Sequence, residues 1–160
     1  ARMHLGTILP DYNTQALPTS NRDLLEKRLA RIGRNTLFLA KRLETFVQTH
    51  PCSVKTVHYP GLTSHTAYDS ARTFNGPFFT MSFQKNNPKY FQSFIDRVMN
   101  EAKKSNIPLV SGTSFGMDVT RLYLTALYAD TYASPFLRVS LGTETLAEVE
   151  AIGDLFEDLL

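Results

Sequence analysis

The chain has 160 residues, of which 42% are apolar and 20% charged, and its formal net charge at pH 7 is +2. Those values suit one ordinary domain with a real core. There is no long basic run of the kind that marks a nucleic-acid footprint, and no apolar run of membrane-spanning length. The one cysteine, Cys52, cannot form an internal disulfide, and His4, His50, His58 and His65 lack the close pairing of a zinc site. The expectation is a cytoplasmic protein without a metal, a nucleic-acid partner or a membrane partner, and the N-terminus does not read as a signal peptide. The abrupt opening Ala1-Arg2-Met3-His4 adds the expectation that the chain is a piece of a longer protein.

Residues Ala1 to Thr19 carry Gly6, Pro10, Asp11, Asn13 and Pro18 and are expected to be mostly irregular. Ser20-Asn21-Arg22-Asp23 fits a capping box, and Leu25, Leu29, Ile32, Leu39, Leu43 and Phe46 then recur at helical spacing to about Thr49. The arginines and lysines around that stripe are either a solvated helix face or a phosphate or acidic-partner site. Pro51 ends the helix. Val54 to Tyr59 is a short strand rich in β-branched residues, and Pro60-Gly61 turns into a short helix through Ala67, Tyr68 and Ala71, with His65 as a turn or cap residue.

Gly76-Pro77 opens a second strand, Phe78 to Phe83, with Phe79, Met81 and Phe83 on its apolar side and Phe78, Thr80 and Ser82 opposite. Asn87 caps the next helix with Pro88 in its first turn, and Phe91, Phe94, Ile95, Val98 and Ala102 form its buried side. Ile107 to Val110 make a third strand, and the small residues of Ser111 to Gly116 loosen the chain into either a ligand-approaching loop or an ordinary connection. Asp118 to Leu127 reads equally as strand or helix. In Pro135 to Glu144, strand alternation puts Leu137, Val139 and Leu141 in the core and Phe136, Arg138 and Ser140 on the other face. Arg138 is there either a solvated structural arginine or a fork for a carboxylate. Gly142-Thr143 caps a terminal helix with Leu146, Val149, Ile152, Phe156 and Leu159 in one stripe, its glutamates, Glu144 among them, favouring the N-terminal half. Short crossovers and strands with one polar face point to an α+β fold, a mostly antiparallel sheet with helices on one side after a long connecting helix.

The stretch Leu137-Arg138-Val139-Ser140-Leu141-Gly142-Thr143-Glu144 resembles the C-terminal signature of the pyridoxal-phosphate enzymes of cysteine and methionine metabolism, the family of cystathionine gamma-synthase, the cystathionine lyases and the homoserine sulfhydrylases. Tyr59-Pro60-Gly61-Leu62-Thr63-Ser64-His65 is similar to a second pattern of that family. Ser114-Phe115-Gly116-Met117-Asp118-Val119-Thr120 resembles, loosely, its Ser-Leu-Gly-Gly-Val-Glu-Ser segment, in a form similar to that of fungal members. Thr113 stands where relatives acting on cystathionine often have glutamate.

The resemblance implies the small C-terminal domain of a fold-type I pyridoxal-phosphate enzyme, with residues 1–49 as the end of the cofactor domain plus connecting helix and residues 50–160 as the substrate-side domain. It implies substrate-binding roles for Arg138, which would hold the α-carboxylate, for Ser114, and for Thr113 as a specificity position. Pyridoxal phosphate would be bound mainly by residues outside this chain, because no lysine here has the family's Schiff-base context. No residue of this chain is then catalytic, and alone it would be inactive. The implied parent reaction is γ-replacement on an activated homoserine, cystathionine gamma-synthase-like, with a cystathionine lyase or O-acetylhomoserine sulfhydrylase as the nearest alternatives. The implied partners are an amino-acid substrate and further copies of the chain in a dimer or tetramer. A non-catalytic α+β protein-interaction domain is the alternative from a different class.

Overall fold

The computed structural model describes residues 22–85, 87–116, 118–125 and 134–160. Along them run helix α1 (Arg22–Thr49), strands β1 (Val54–His58) and β2 (Phe78–Phe83), helix α2 (Pro88–Lys104), strands β3 (Leu109–Ser111), β4 (Thr120–Thr125) and β5 (Phe136–Ser140), and helix α3 (Leu146–Leu159). The strands form one sheet in the order β1-β2-β5-β4-β3. Every pairing is antiparallel except that of β3 with β4. This is the expected α+β architecture.

Strand alternation decides where the core sits. Phe79, Met81 and Phe83 of β2, Leu122 and Leu124 of β4, and Leu137 and Val139 of β5 are buried and meet the apolar sides of all three helices in one cluster. The Phe83 ring packs 4.9 Å from Phe91 and 5.1 Å from Phe94, and Phe94 lies 5.9 Å from Phe156 of α3. Edge-on contacts of this kind add to what area burial alone contributes. The buried side of α2 is the expected one, Phe91, Phe94, Ile95, Val98 and Ala102. Its start is also as expected, with Lys89 N donating to Asn87 Oδ1 over 2.9 Å and Pro88 at the first helical position.

Several expectations are corrected. Residues 60–77 contain turns and no helix, because local side chains capture the amides a helix would need: Ala67 N donates to His65 Nδ1 and Ala71 N to Asp69 Oδ1. His65 is thus a turn residue. The segment Asp118 to Leu127, ambiguous from the sequence, is a strand over Thr120–Thr125, and its last two residues lie outside the described ones. The N-cap of α3 is Thr145, not Gly142-Thr143, and it forms a capping box with Glu148. Those hydrogen bonds, the one from the Thr145 backbone first, hold the Glu148 carboxyl below the usual carboxylate range. Leu146 lies on the exposed side of α3, and in α1 burial begins only at Ile32, so Leu25 and Leu29 are exposed. The capping box expected at Ser20 and Asn21 lies outside the described residues, as do Met117 and residues 126–133.

Candidate functional site

The sheet face turned away from the helices carries Phe78 and Thr80 from β2, Arg138 and Ser140 from β5, and Arg121 and Tyr123 from β4. Register aligns them in two rows. Thr80, Arg138 and Tyr123 are direct neighbours in one row; Phe78, Ser140 and Arg121 form the next. Because β5 is the central strand, Arg138 has a neighbour on each side and is half-buried.

The guanidinium of Arg138 lies between two rings, with Cζ 4.7 Å from the centroid of Phe115 and 5.1 Å from that of Tyr123. Cation–π contacts with two rings orient a planar group. Phe115 is itself braced against Phe78 at 5.7 Å. The Arg138 Nη2 donates to the carbonyl oxygen of Thr113 and, over 3.2 Å, to that of Ser114. The structure therefore brings together Arg138, Thr113 and Ser114, the residues singled out in the sequence. What reaches the arginine from Thr113 and Ser114 is backbone; both residues are exposed.

Three polar atoms on this face are buried without a hydrogen-bond partner: Arg138 Nε, Arg121 Nε and Ser140 Oγ. The Arg121 side chain has no hydrogen bond or ion pair among the described residues. Buried donors are normally satisfied, so an orphaned set on one face marks a place built for an acceptor. The arrangement can bind and orient an anion.

The loop that holds Arg138 is itself clamped by residues that strand spacing did not reveal. Glu144 sits before the first turn of α3 and is 5% exposed. It does not serve the helix dipole as expected; its carboxylate accepts from Thr120 N and, over 3.0 Å, from Gly142 N. Asn35 of α1, also buried, donates through Nδ2 to the carbonyl oxygens of Gly142 (3.1 Å) and Glu144 (3.0 Å), and Arg31 Nε donates to the latter over 3.2 Å. Arg28 pairs with Asp118. Gly142 is required by close approach: a Cβ there would lie 2.5 Å from the backbone carbon of Asp118. The signal that could have found Asn35 is an amide inside the apolar stripe between Ile32 and Leu39.

Lysines in the described residues lie on α1, β1, the turn after β2 and α2, and none is on β4, β5 or the loop 112–116. Among the described residues no group of histidine, cysteine and acidic side chains is placed to hold a metal ion, and no helix is long and apolar enough to cross a membrane.

No protein-family model matches the chain. Solved structures share its architecture. The methionine gamma lyase CalE6 of Micromonospora echinospora superposes with a TM-score of 0.60 at 21% identity, over 85% of this chain and 34% of that one. O-Acetylhomoserine sulfhydrylase of Wolinella succinogenes gives 0.59 at 18% identity, over 85% and 35%. Cystathionine gamma synthase of Xanthomonas oryzae pv. oryzae, in complex with cystathionine, gives 0.56 at 18%, over 85% and 36%. This is the fold of the C-terminal domain of fold-type I pyridoxal-phosphate enzymes. Among curated proteins, the bifunctional enzyme flvA of Aspergillus flavus is 23% identical over 147 residues, 90% of this chain and 17% of that protein. The chain thus spans about a third of the solved chains and about a sixth of flvA.

Proposed function

We propose that this chain is the substrate-side domain of a pyridoxal-phosphate-dependent enzyme of sulfur amino-acid metabolism, and that Arg138 holds the α-carboxylate of the amino-acid substrate. The observation that carries the reading is the setting of Arg138: a guanidinium sandwiched by Phe115 and Tyr123, tied at Nη2 to the 113–114 carbonyls, with a buried and unpartnered Nε. A carboxylate completes it. The shared fold with a methionine gamma lyase, an O-acetylhomoserine sulfhydrylase and a cystathionine gamma synthase supports the same reading.

The residues present fit that carboxylate, and no lysine stands on β2, β4 or β5 around it to meet the cofactor's aldehyde. Pyridoxal phosphate would stabilise a carbanion next to the substrate's amino group. Its amine partner lies, in this reading, in the rest of a longer protein. Residues 1–49 are then the end of the cofactor domain with the connecting helix, and residues 50–160 the substrate-side domain. The intact protein is cytoplasmic and assembles as a dimer or tetramer. Within this chain Arg138 orients the substrate, Phe115 and Tyr123 exclude water from the guanidinium faces, and Ser114 and Thr113 border the pocket, Thr113 as a specificity position. The finer assignment is γ-replacement on an activated homoserine; a cystathionine lyase or a sulfhydrylase would use the same arginine.

The first test is a visible spectrum of the chain with pyridoxal phosphate, followed by borohydride reduction and intact mass. The expected result is no specific adduct, and a stoichiometric adduct on one lysine would refute the division of labour. In the longer protein, Arg138→Ala should weaken amino-acid binding by about 2–5 kcal/mol with the cofactor still bound. Unchanged affinity would sink the role of Arg138.

A further inference from the structure

Arg121 is half-buried, its Nε is enclosed, and no acceptor among the described residues reaches its side chain. A guanidinium at this depth loses hydration without recovering it. The place of its head is nonetheless defined. Gly112 N donates to the carbonyl oxygen of Leu122 over 3.0 Å, which seats Gly112 beside β4. The Nη1 of Arg121 lies 3.4 Å from where a Cβ on Gly112 would be, so a glycine there gives the guanidinium room. Arg138 reaches the next residues of the same loop, its Nη2 donating to the carbonyl oxygens of Thr113 and Ser114.

The two heads therefore converge beneath adjacent residues of one loop. Register agrees. Ser140 pairs with Arg121 and Tyr123 with Arg138, so the arginines are diagonal neighbours on adjacent strands. Diagonal positions are about 7–8 Å apart at Cα, a gap that long side chains close. Ser140 stands beside both, opposite Arg121 and two residues along β5 from Arg138; it is completely buried and its Oγ lacks a partner. No carboxylate among the described residues pairs with either guanidinium. The acidic groups that flank these strands are committed elsewhere, Asp118 to Arg28 and Glu144 to the amides of Thr120 and Gly142. Two like charges and a buried hydroxyl share one gap, and an anion between them relieves all three.

We infer that Arg121 and Ser140 are the second half of the carboxylate clamp. One carboxylate lies between the two arginines, met by Arg138 from one side and by Arg121 from the other, with the Ser140 hydroxyl donating to it. The donors left over on this face are three, Arg138 Nε, Arg121 Nε and Ser140 Oγ. A carboxylate offers two oxygens with about four lone-pair sites, so one group satisfies the whole set. The inference rests on the proposed role of Arg138 and adds a binding residue to it. A carboxylate gripped from two strands is fixed in direction as well as place, which a single fork flanked by rings does not achieve.

The test uses the full chain, labelled with nitrogen-15, and a matched pair of probes, acetate and acetamide, at constant ionic strength. Acetate should displace the Nε–H resonances of Arg121 and Arg138 together, along one isotherm with one dissociation constant, and acetamide should displace neither. Arg121→Gln should weaken acetate binding, read at Arg138, by about tenfold or more. Arg121→Lys, which keeps the charge without the fork, should fall between. Without acetate, Arg121→Gln should melt no lower than the parent, because it removes an unpaired charge; a lower melting point would reveal a use for Arg121 within the chain and overturn the inference. Movement of Arg138 alone, two different dissociation constants, or an Arg121→Gln variant that binds acetate as the parent does also overturns it, and each leaves the Arg138 reading standing. Failure of that reading looks different: the Arg138 resonance stays fixed at every acetate concentration, whether or not Arg121 moves. Resonances that shift on dilution of the chain before acetate is added would put a second copy's carboxylate in the gap, and overturn the assignment to a ligand.

Discussion

Replacing Glu144 with alanine removes one carboxylate that serves two backbone amides, Thr120 N and Gly142 N, at a residue only 5% exposed. Each orphaned buried N–H costs about 1–3 kcal/mol, and bonds to a charged acceptor lie at the upper end. The expected destabilisation is therefore about 3–5 kcal/mol, which places it among the large single-residue effects. In a domain of this size each kcal/mol lowers Tm by roughly 2–4 °C, so the melting point should fall by about 6–20 °C. Glu144→Gln keeps one acceptor and turns an NH2 toward the other amide, so it should fall between alanine and the parent. Urea denaturation is the assay, read as a lower midpoint with an unchanged slope. An alanine variant within about 1 kcal/mol of the parent would show that Glu144 does not clamp the loop.

Gly142→Ala should be at least as damaging, on the order of 3 kcal/mol or more, because the new Cβ meets the rigid Asp118–Val119 backbone at 2.5–2.6 Å; thermal melting near that of the parent would refute it. Arg42→Ala should cost about 1–3 kcal/mol, since Arg42 grips Glu157 through two bonds of 2.7 and 2.8 Å and donates to Asp154 and the Glu150 carbonyl. By contrast, breaking the solvent-exposed Arg22–Glu26 pair should cost at most about 0.5 kcal/mol, and chemical denaturation of the two variants compares them directly. Burial pushes the Tyr59 phenol from 10.0 up to about 12. The unfolded chain therefore loses this proton first, so Tyr59 supports folding fully below pH 10 and stability falls as pH rises toward 12. Ultraviolet titration of the phenolate checks the value, and a normal titration of Tyr59 in the folded chain would refute the burial argument.

Local chemistry made much of the fold legible. Asn87-Pro88 announces the start of α2, and the Phe91-to-Ala102 spacing its buried side. Alternation from Phe78 to Phe83 and from Leu137 to Leu141 divides core from open face, and it put Arg138 on the correct side. Hidden from such reading were competing local hydrogen bonds and whatever is decided at long range. Ala67 to Ala71 looks helical by composition, yet His65 and Asp69 take the amides. Leu25, Leu29 and Leu146 fit apolar stripes but extend beyond the surface that covers the rest. Glu144 follows a strand and precedes a helix, so the dipole seemed its reason; its true partners, Thr120 and Gly142, meet it only once β4 lies beside β5. Arg121 gave no signal, because its distinction is a buried Nε without a partner among the described residues.

The bonds from Asn35 and Arg31 to the 142–144 backbone, and from Arg42 to Glu157, join positions 107 to 115 residues apart. Closing so long a loop costs only slightly more entropy than a short one, since the cost grows with the logarithm of length. It does, however, fix an order of events. During synthesis α1 emerges early, with Asn35 and its apolar stripe uncovered, and nothing can satisfy them until the residues around Glu144 and α3 arrive. A chain stalled before that point carries bare sticky surface and is prone to aggregate. Among the described elements helix α1 waits longest, and the open sheet face takes shape only when it meets the residues around Glu144.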